Sequence, residues 1–298
     1  MAMTIQNFET IDDYNKFNNH ETLHPLVSVL DLSKAKPRKG SKMFFGLYVI
    51  FLKDVNCGDL KYGKHNYDYQ EGTLVFMAPG QVADVKNTEY YQPAGIALAF
   101  HPDLIKGTPL AKGINDYSFF SYEMNEALHM SEKEKQIILD CFSKIEYEIE
   151  HAVDSHSKTL IASNIELFLN YCSRFYDRQF ITRENVHRGI LERFEQVMNQ
   201  YFQSGNLQIE GLPSVSYFAD ELNLSPNYFG DLVKKETGRS AQELIHSKLI
   251  DVAKERVLDQ SKSLSQIAYE LGFKYPQHFT RLFKNRVGYS PSEYRVLN

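Results

Sequence analysis

One pattern is written twice near the end of this chain, and it constrains the fold more than any other feature. Residues 216–240 read SYFADELNLSPNYFGDLVKKETGRS, and residues 265–290 read SQIAYELGFKYPQHFTRLFKNRVGYS. Ala219, Glu221, Leu222 and Leu224 return 49 positions later as Ala268, Glu270, Leu271 and Phe273. After one extra residue in the second turn, Phe229, Leu232, Lys234 and Gly238 return 50 positions later as Phe279, Leu282, Lys284 and Gly288, followed by Ser290 and Glu293 for Ser240 and Glu243. Both copies must therefore fold into the same local shape, and that shape is a short helix, a tight turn and a second helix.

Residue chemistry supports each part of the unit. Phe218, Ala219 and Leu222 share one face of the first helix, and the small Ala219, like Ala268, lets a second helix cross closely. The turns fall at Asn223-Leu224 and Gly272-Phe273, where Asn and Gly tolerate the left-handed backbone of a C-cap. Pro226 and Pro276 stand where a second helix begins, the helical position at which proline costs little. Ser225 supplies an N-cap oxygen. Phe229, Leu232 and Val233, and then Phe279, Leu282 and Phe283, recur at i, i+3 and i+4 and mark the inward stripe. Ser240–Glu243, Ser263–Gln266 and Ser290–Glu293 fit the capping box at the helix starts that the repeat requires. Between the copies, residues 241–260 contain no Gly or Pro and carry Leu244, Ile245, Leu249, Val252, Ala253 and Val257 at helical spacing. About 18 helical residues span roughly 27 Å. With the flanking helix widths, the two second helices come about one DNA turn apart, roughly 34 Å.

These residues resemble the DNA-binding domain of the AraC/XylS family of bacterial transcription regulators. The resemblance rests on IAYELGF at 267–273, Phe279, Phe283-Lys284, Gly288, Ser290-Pro291 and Tyr294-Arg295. It implies a bipartite helix-turn-helix pair joined by a long helix, with base contacts from early outward positions of each second helix. Those positions here are Asn227, Gly230 and Asp231 in the first copy and Gln277, His278 and Arg281 in the second. Glutamine suits adenine and arginine suits guanine in the major groove, whereas Gly230 brings no side chain and Asp231 is repelled by phosphate. The first copy is therefore expected to act through Asn227, Tyr228 and backbone contacts. Lys234, Lys235 and Lys284 are the candidate phosphate contacts, with a solvated helix face as the alternative for each. Ala219, Leu222, Phe229, Ala268, Gly272 and Phe279 are assigned to packing.

Charge adds a weak argument. Residues 225–298 hold 12 Lys and Arg against 8 Asp and Glu, a net of +4, whereas the whole chain carries −5. So small a basic excess predicts dependence on two half-sites and on a homodimer. No stretch reaches the roughly 18 apolar residues of a membrane span, and the expectation is a cytoplasmic protein without membrane partners.

The 298-residue length suggests two domains. The runs 26–32, 44–53, 73–80 and 95–100 are rich in Val, Phe, Tyr and Leu and punctuated by Gly, Asn and Asp, so they read as strands. With no room for helical crossovers they predict an antiparallel, barrel-like sheet. Residues 70–81, with Glu71-Gly72 before a strand and Ala78-Pro79-Gly80 after it, resemble the cupin-like sensor domain of AraC-type regulators, which implies a small-molecule effector of unknown identity. Tyr48, Tyr62, Tyr67 and Tyr69 could stack on such a ligand or simply be core, and no ligand residue is assigned. From Ser131 the pattern turns helical, over 131–152 and 158–178, and by resemblance these helices form a dimerisation element; the alternative is that they cover the barrel of their own chain. Residues 179–187 read as a linker and 188–204 as the helix opening the DNA-binding part.

The expected fold class is thus α+β: an N-terminal antiparallel cupin-like β-barrel over 1–125, helices over 126–180, and an all-α bipartite helix-turn-helix domain over 181–298. A cupin can also be a metal enzyme. His65, Glu71 and His101 are too few and too scattered for a metal site, and no Ser/His/Asp spacing, phosphate loop or paired carboxylates stand out. No catalysis, metal or cofactor is expected. Cys57, Cys141 and Cys172 have no metal or redox spacing and are expected to be buried thiols. The expectation is a sequence-specific regulator of double-stranded DNA, controlled by an effector, with RNA polymerase as a possible partner. The competing readings are a cupin-type metal enzyme with an accessory helical domain and a ligand-independent regulator.

Overall fold

The computed structural model describes residues 5–53, 72–85, 89–123, 126–151, 154–182 and 184–297. The chain folds as two compact units, residues 1–182 and 183–298.

The first unit begins with β1 (Ile5–Phe8), α1 (Ile11–Phe17), β2 (Val27–Asp31), β3 (Lys42–Phe45), β4 (Tyr48–Lys53), β5 (Thr73–Met77), β6 (Gln81–Asp84) and β7 (Ile96–Phe100). Two short helices follow, α2 (Pro102–Ile105) and α3 (Pro109–Gly113), then β8 (Leu128–His129) and the long helices α4 (Glu132–Glu150) and α5 (Ser157–Thr182). Five strands form one antiparallel sheet in the order β2-β7-β4-β5-β8, and three form a second in the order β1-β3-β6. Alternation along each strand separates two faces. On one face Leu30, Val49, Met77, Ala97 and Ala99 join Phe8, Phe45 and Ala83 of the small sheet, with Ile11 and Tyr14 of α1, in a single core. On the other face Phe76 meets Phe119 at 4.5 Å and Phe168 of α5 at 6.5 Å between ring centroids. The large sheet is thus covered on both faces, by α1 and the small sheet on one side and by helices on the other.

Three expectations change. The strands form two sheets with no closed barrel among the described residues. The sheets are not wholly antiparallel, because β1 runs parallel to β3 in the register Ile5↔Lys42. Residues 179–187 are not an irregular linker: α5 continues to Thr182 and α6 starts at Glu184. Gln179 explains the extension. It is 1% exposed, accepts from the His129 N–H at 2.7 Å and donates to the Ala127 carbonyl at 3.2 Å. Its polar groups are satisfied by tertiary contacts that no local pattern reveals.

Cys141 and Cys172 are buried between α4 and α5, and burial pushes both thiols up. Cys57, Tyr62, His65, Tyr67, Tyr69 and Glu71 lie outside the described residues. Among the described residues no group of three His, Cys, Asp or Glu is placed to hold a metal ion, and no helix is long and apolar enough to cross a membrane.

The second unit is helical: α6 (Glu184–Gln203), α7 (Asn206–Ile209), α8 (Val215–Leu222), α9 (Pro226–Thr237), α10 (Ala241–Val257), α11 (Leu264–Glu270), α12 (Pro276–Val287) and α13 (Pro291–Leu297). Three of the starts carry the capping chemistry that their sequence offers. Ser240 and Ser263 close complete capping boxes with Glu243 and Gln266, and Ser290 exchanges the same two bonds with Glu293.

Candidate nucleic-acid interface

The two repeats become two helix-turn-helix units, α8–α9 and α11–α12, with α10 between them. Their turns match bond for bond. Asn223 and Gly272 both take the left-handed conformation, at φ of 56° and 84°. The Leu224 N–H donates to the Ala219 carbonyl and the Phe273 N–H to the Ala268 carbonyl, each at 3.0 Å. This six-to-one closure puts Leu224 and Phe273 themselves at the corner, half-buried and buried respectively. Ala219 and Ala268 are fully buried, as the close helix crossing requires. Both second helices begin at proline and end on a left-handed glycine, Gly238 or Gly288, whose N–H donates to Lys234 or Lys284 at 2.9 Å.

Aromatic packing holds each second helix by its inward stripe. Phe194 of α6 lies edge-on to Phe218 at 5.2 Å and to Phe229 at 5.0 Å, wedging α8 and α9 together. Around α12, Phe273, Phe279, Phe283 and Tyr294 form a chain of rings spaced 5.5 to 5.6 Å. Leu222, Phe229 and Phe279 are buried with them. Gly272 has a second role, since a Cβ there would stand 2.6 Å from the Leu207 carbonyl oxygen and 2.8 Å from the Gly211 carbonyl carbon.

The outward positions differ between the copies. On α12, Gln277, His278, Arg281 and Lys284 are all exposed. On α9, Asn227, Lys234 and Lys235 are exposed, while Gly230 and Asp231 are half-buried. Tyr228 departs from the expectation: its side chain is 5% exposed, so it belongs to the packed side and does not stand beside Asn227 as a base reader. Its N–H instead meets the Ser225 hydroxyl at 3.2 Å. Gly230 faces open space: a Cβ there would meet nothing within 4 Å.

Sequence reasoning passed over Tyr275. It is the N-cap residue of α12, makes no side-chain capping bond, and is 56% exposed. The signal was present in the repeat, because Ser225 stands at the matching N-cap of α9.

A family model described as a helix-turn-helix domain matches residues 218–296, a span that begins inside α8 and runs into α13. Residues 218–296 are a helix-turn-helix domain. The chain is 25% identical over 146 residues to the probable transcriptional regulator LumQ of Photobacterium leiognathi, covering 49% of this chain and 54% of that protein. It is 37% identical over 78 residues to the uncharacterized transcriptional regulatory protein YesN of Bacillus subtilis, covering 26% of this chain and 21% of that one. The chain thus spans about half the length of the first relative and about a fifth of the second. Among solved structures, the C-terminal domain of the response regulator yesN from Fusobacterium nucleatum is 25% identical, covering 35% of this chain and 95% of that one, with a TM-score of 0.31.

Proposed function

We propose that the chain is a sequence-specific DNA-binding transcription regulator that reads two successive major-groove segments of double-stranded DNA with α9 and α12. The supporting observation is the matched pair of helix-turn-helix units, each with its turn closed by the same bond and its second helix presenting a polar outer face. Gln277, His278 and Arg281 are assigned to bases, as is Asn227. Lys234, Lys235 and Lys284 are assigned to phosphates. The α9 set is poorer, which makes α12 the main source of specificity.

We assign the first unit a control role, with a small-molecule effector as the input. Its separation from the DNA-binding unit at residues 182/183 supports that division of labour. An effector that prefers one arrangement of the chain shifts the population competent for DNA, by its differential affinity alone. The packed core between the sheets includes Ile11 and Tyr14 of α1, so a ligand seated there must displace α1 or reach the sheets from another side. We also propose that the protein works as a homodimer. Leu160, Leu167 and Ile181 of α5 are 45%, 41% and 64% exposed at spacings of seven and fourteen, an outward column left after α5 has packed on its own sheet. Contact with RNA polymerase and a cytoplasmic site of action follow from the regulator reading, and no catalysis is assigned.

Selection of bound DNA from a random library by the full chain tests the reading. One or two spaced half-sites should emerge, and Arg281→Ala should erase preference at one base pair. Failure to enrich any motif, with no binding even at low salt, overturns the assignment.

A further inference from the structure

We propose that Tyr275 is a DNA-contacting specificity residue, which uses its own ring at the duplex and holds the His278 imidazole in its reading orientation. The proposal rests on the regulator reading above and extends it to a residue outside the outward helical positions.

The two repeats supply the contrast. Where α9 begins, Ser225 is 3% exposed and its hydroxyl takes the Tyr228 N–H at 3.2 Å. Where α12 begins, the equivalent residue is an aromatic that offers no such oxygen. The His278 N–H is satisfied instead by the Tyr275 carbonyl at 3.0 Å, in a tighter first turn. Small hydroxyl and carboxamide residues are strongly preferred at an N-cap, so a tyrosine there is chosen against local helix stability. Nor does the ring serve the core, since Tyr275 is 56% exposed while Phe273, two residues earlier, is 7% exposed and plugs the turn.

The ring instead lies against a proposed reader. The Tyr275 and His278 centroids are 5.5 Å apart with planes at 68°, an edge-to-face contact. An exposed imidazole beside that ring loses rotamer freedom before DNA arrives, so less ordering remains to be done on binding. Next to it, the Thr280 hydroxyl donates to the Pro276 carbonyl at 3.1 Å. Tyr275, Gln277, His278 and Arg281 thus crowd the opening turns of α12, the part of a recognition helix that enters the major groove. A tyrosine there has an apolar body suited to a thymine methyl.

Substitution by the residue of the other repeat gives effects of opposite sign. In the full chain, Tyr275→Ser restores an N-cap hydroxyl, so the thermal midpoint should hold or rise. Affinity for the site selected by the wild type should fall about tenfold, the scale of one lost base contact. Preference should relax at the base pairs that His278 reads, and the salt slope should stay unchanged because no phosphate contact is lost. Tyr275→Phe should keep both affinity and preference. The Tyr275→Ser loss should shrink in a His278→Ala background, since the two residues act as one element. A Tyr275→Ser variant that melts lower and binds worse in proportion assigns the tyrosine a structural role and overturns the proposal. So does a variant that selects the wild-type motif with wild-type affinity. A wild-type chain that selects no motif at all overturns the regulator reading itself, a distinct result.

Discussion

Arg295 donates from Nε to the Val257 carbonyl oxygen at 2.6 Å, and its guanidinium also reaches the Asp259 carbonyl at 3.2 Å. Helix α13 therefore satisfies carbonyls at the C-terminal end of α10, the helix between the two helix-turn-helix units. A helix end leaves carbonyls without intrahelical partners and carries partial negative charge, so a guanidinium is well suited to both.

Arg295→Ala should destabilise the second unit by about 1.5–3 kcal/mol, the range for hydrogen bonds to a charged group. Arg295→Lys should recover only part of this, since an ammonium lacks the fork that spans two carbonyls. Denaturant unfolding of the three proteins measures it. Equal midpoints would show that water replaces the guanidinium at no cost.

Arg281 and Lys284 sit one turn apart on the exposed face of α12, and the proposed roles predict different losses. Arg281→Ala should cost about 1–3 kcal/mol on the selected site and relax preference at one base pair. Lys284→Ala should weaken binding to every sequence alike and reduce the salt slope by about 1. Titrations on cognate and scrambled DNA at three salt concentrations separate the two. If both variants lose affinity uniformly, Arg281 is a phosphate contact and its base assignment is wrong.

Gly272 and Gly238 both require positive φ, at 84° and 71°, but their surroundings differ. A Cβ on Gly238 meets nothing within 4 Å, so Gly238→Ala should cost only the conformational penalty, about 1–2 kcal/mol. A Cβ on Gly272 runs into the backbone of Leu207 and Gly211, which cannot swing aside as a side chain would. Gly272→Ala should therefore cost more than Gly238→Ala, and melting of the paired variants ranks them. Equal losses would mean that the chain around Leu207 and Gly211 yields freely.

The second unit was legible in sequence because its signals are local. Ser240, Ser263 and Ser290 announce helices within three residues, Asn223 and Gly272 announce turns, and a repeat lets each copy check the other. The first unit was legible only where strands are long and apolar. β1, β6 and β8 have 4, 4 and 2 residues, too few for alternation to register, and β1 is fixed by a parallel partner more than thirty residues away. The continuous apolar run 44–53 concealed a break, since Gly46 and Leu47 separate β3 from β4. Gln179 looked like linker because its partners, Ala127 and His129, are some fifty residues distant. On the second helices, residue type put Gln277 and Arg281 on an exposed face, where they stand, but put Tyr228 there too, because an amphipathic ring satisfies either face until packing decides.

His24 gives the first unit a sensitivity to mild acid. Its side chain is 8% exposed, and Nδ1 accepts the Leu26 N–H at 3.1 Å, a bond that needs the nitrogen unprotonated. Burial holds its pKa below the ordinary 6.5. The unfolded chain therefore takes up a proton near pH 6.5 while the folded chain still resists it. His24's contribution to stability is complete above that pH and declines as pH falls from 6.5 through the depressed folded value. The slope from this one group is at most about 1.4 kcal/mol per pH unit. His20 in the same unit is shifted the same way, chiefly by burial, so it contributes in the same sense. Urea midpoints at pH 7.5 and 5.5 should differ for the wild type. They should differ less for His24→Asn, which keeps an acceptor for the Leu26 N–H and removes the titration. A His24→Asn variant with the full wild-type pH dependence would place the acid sensitivity in other groups.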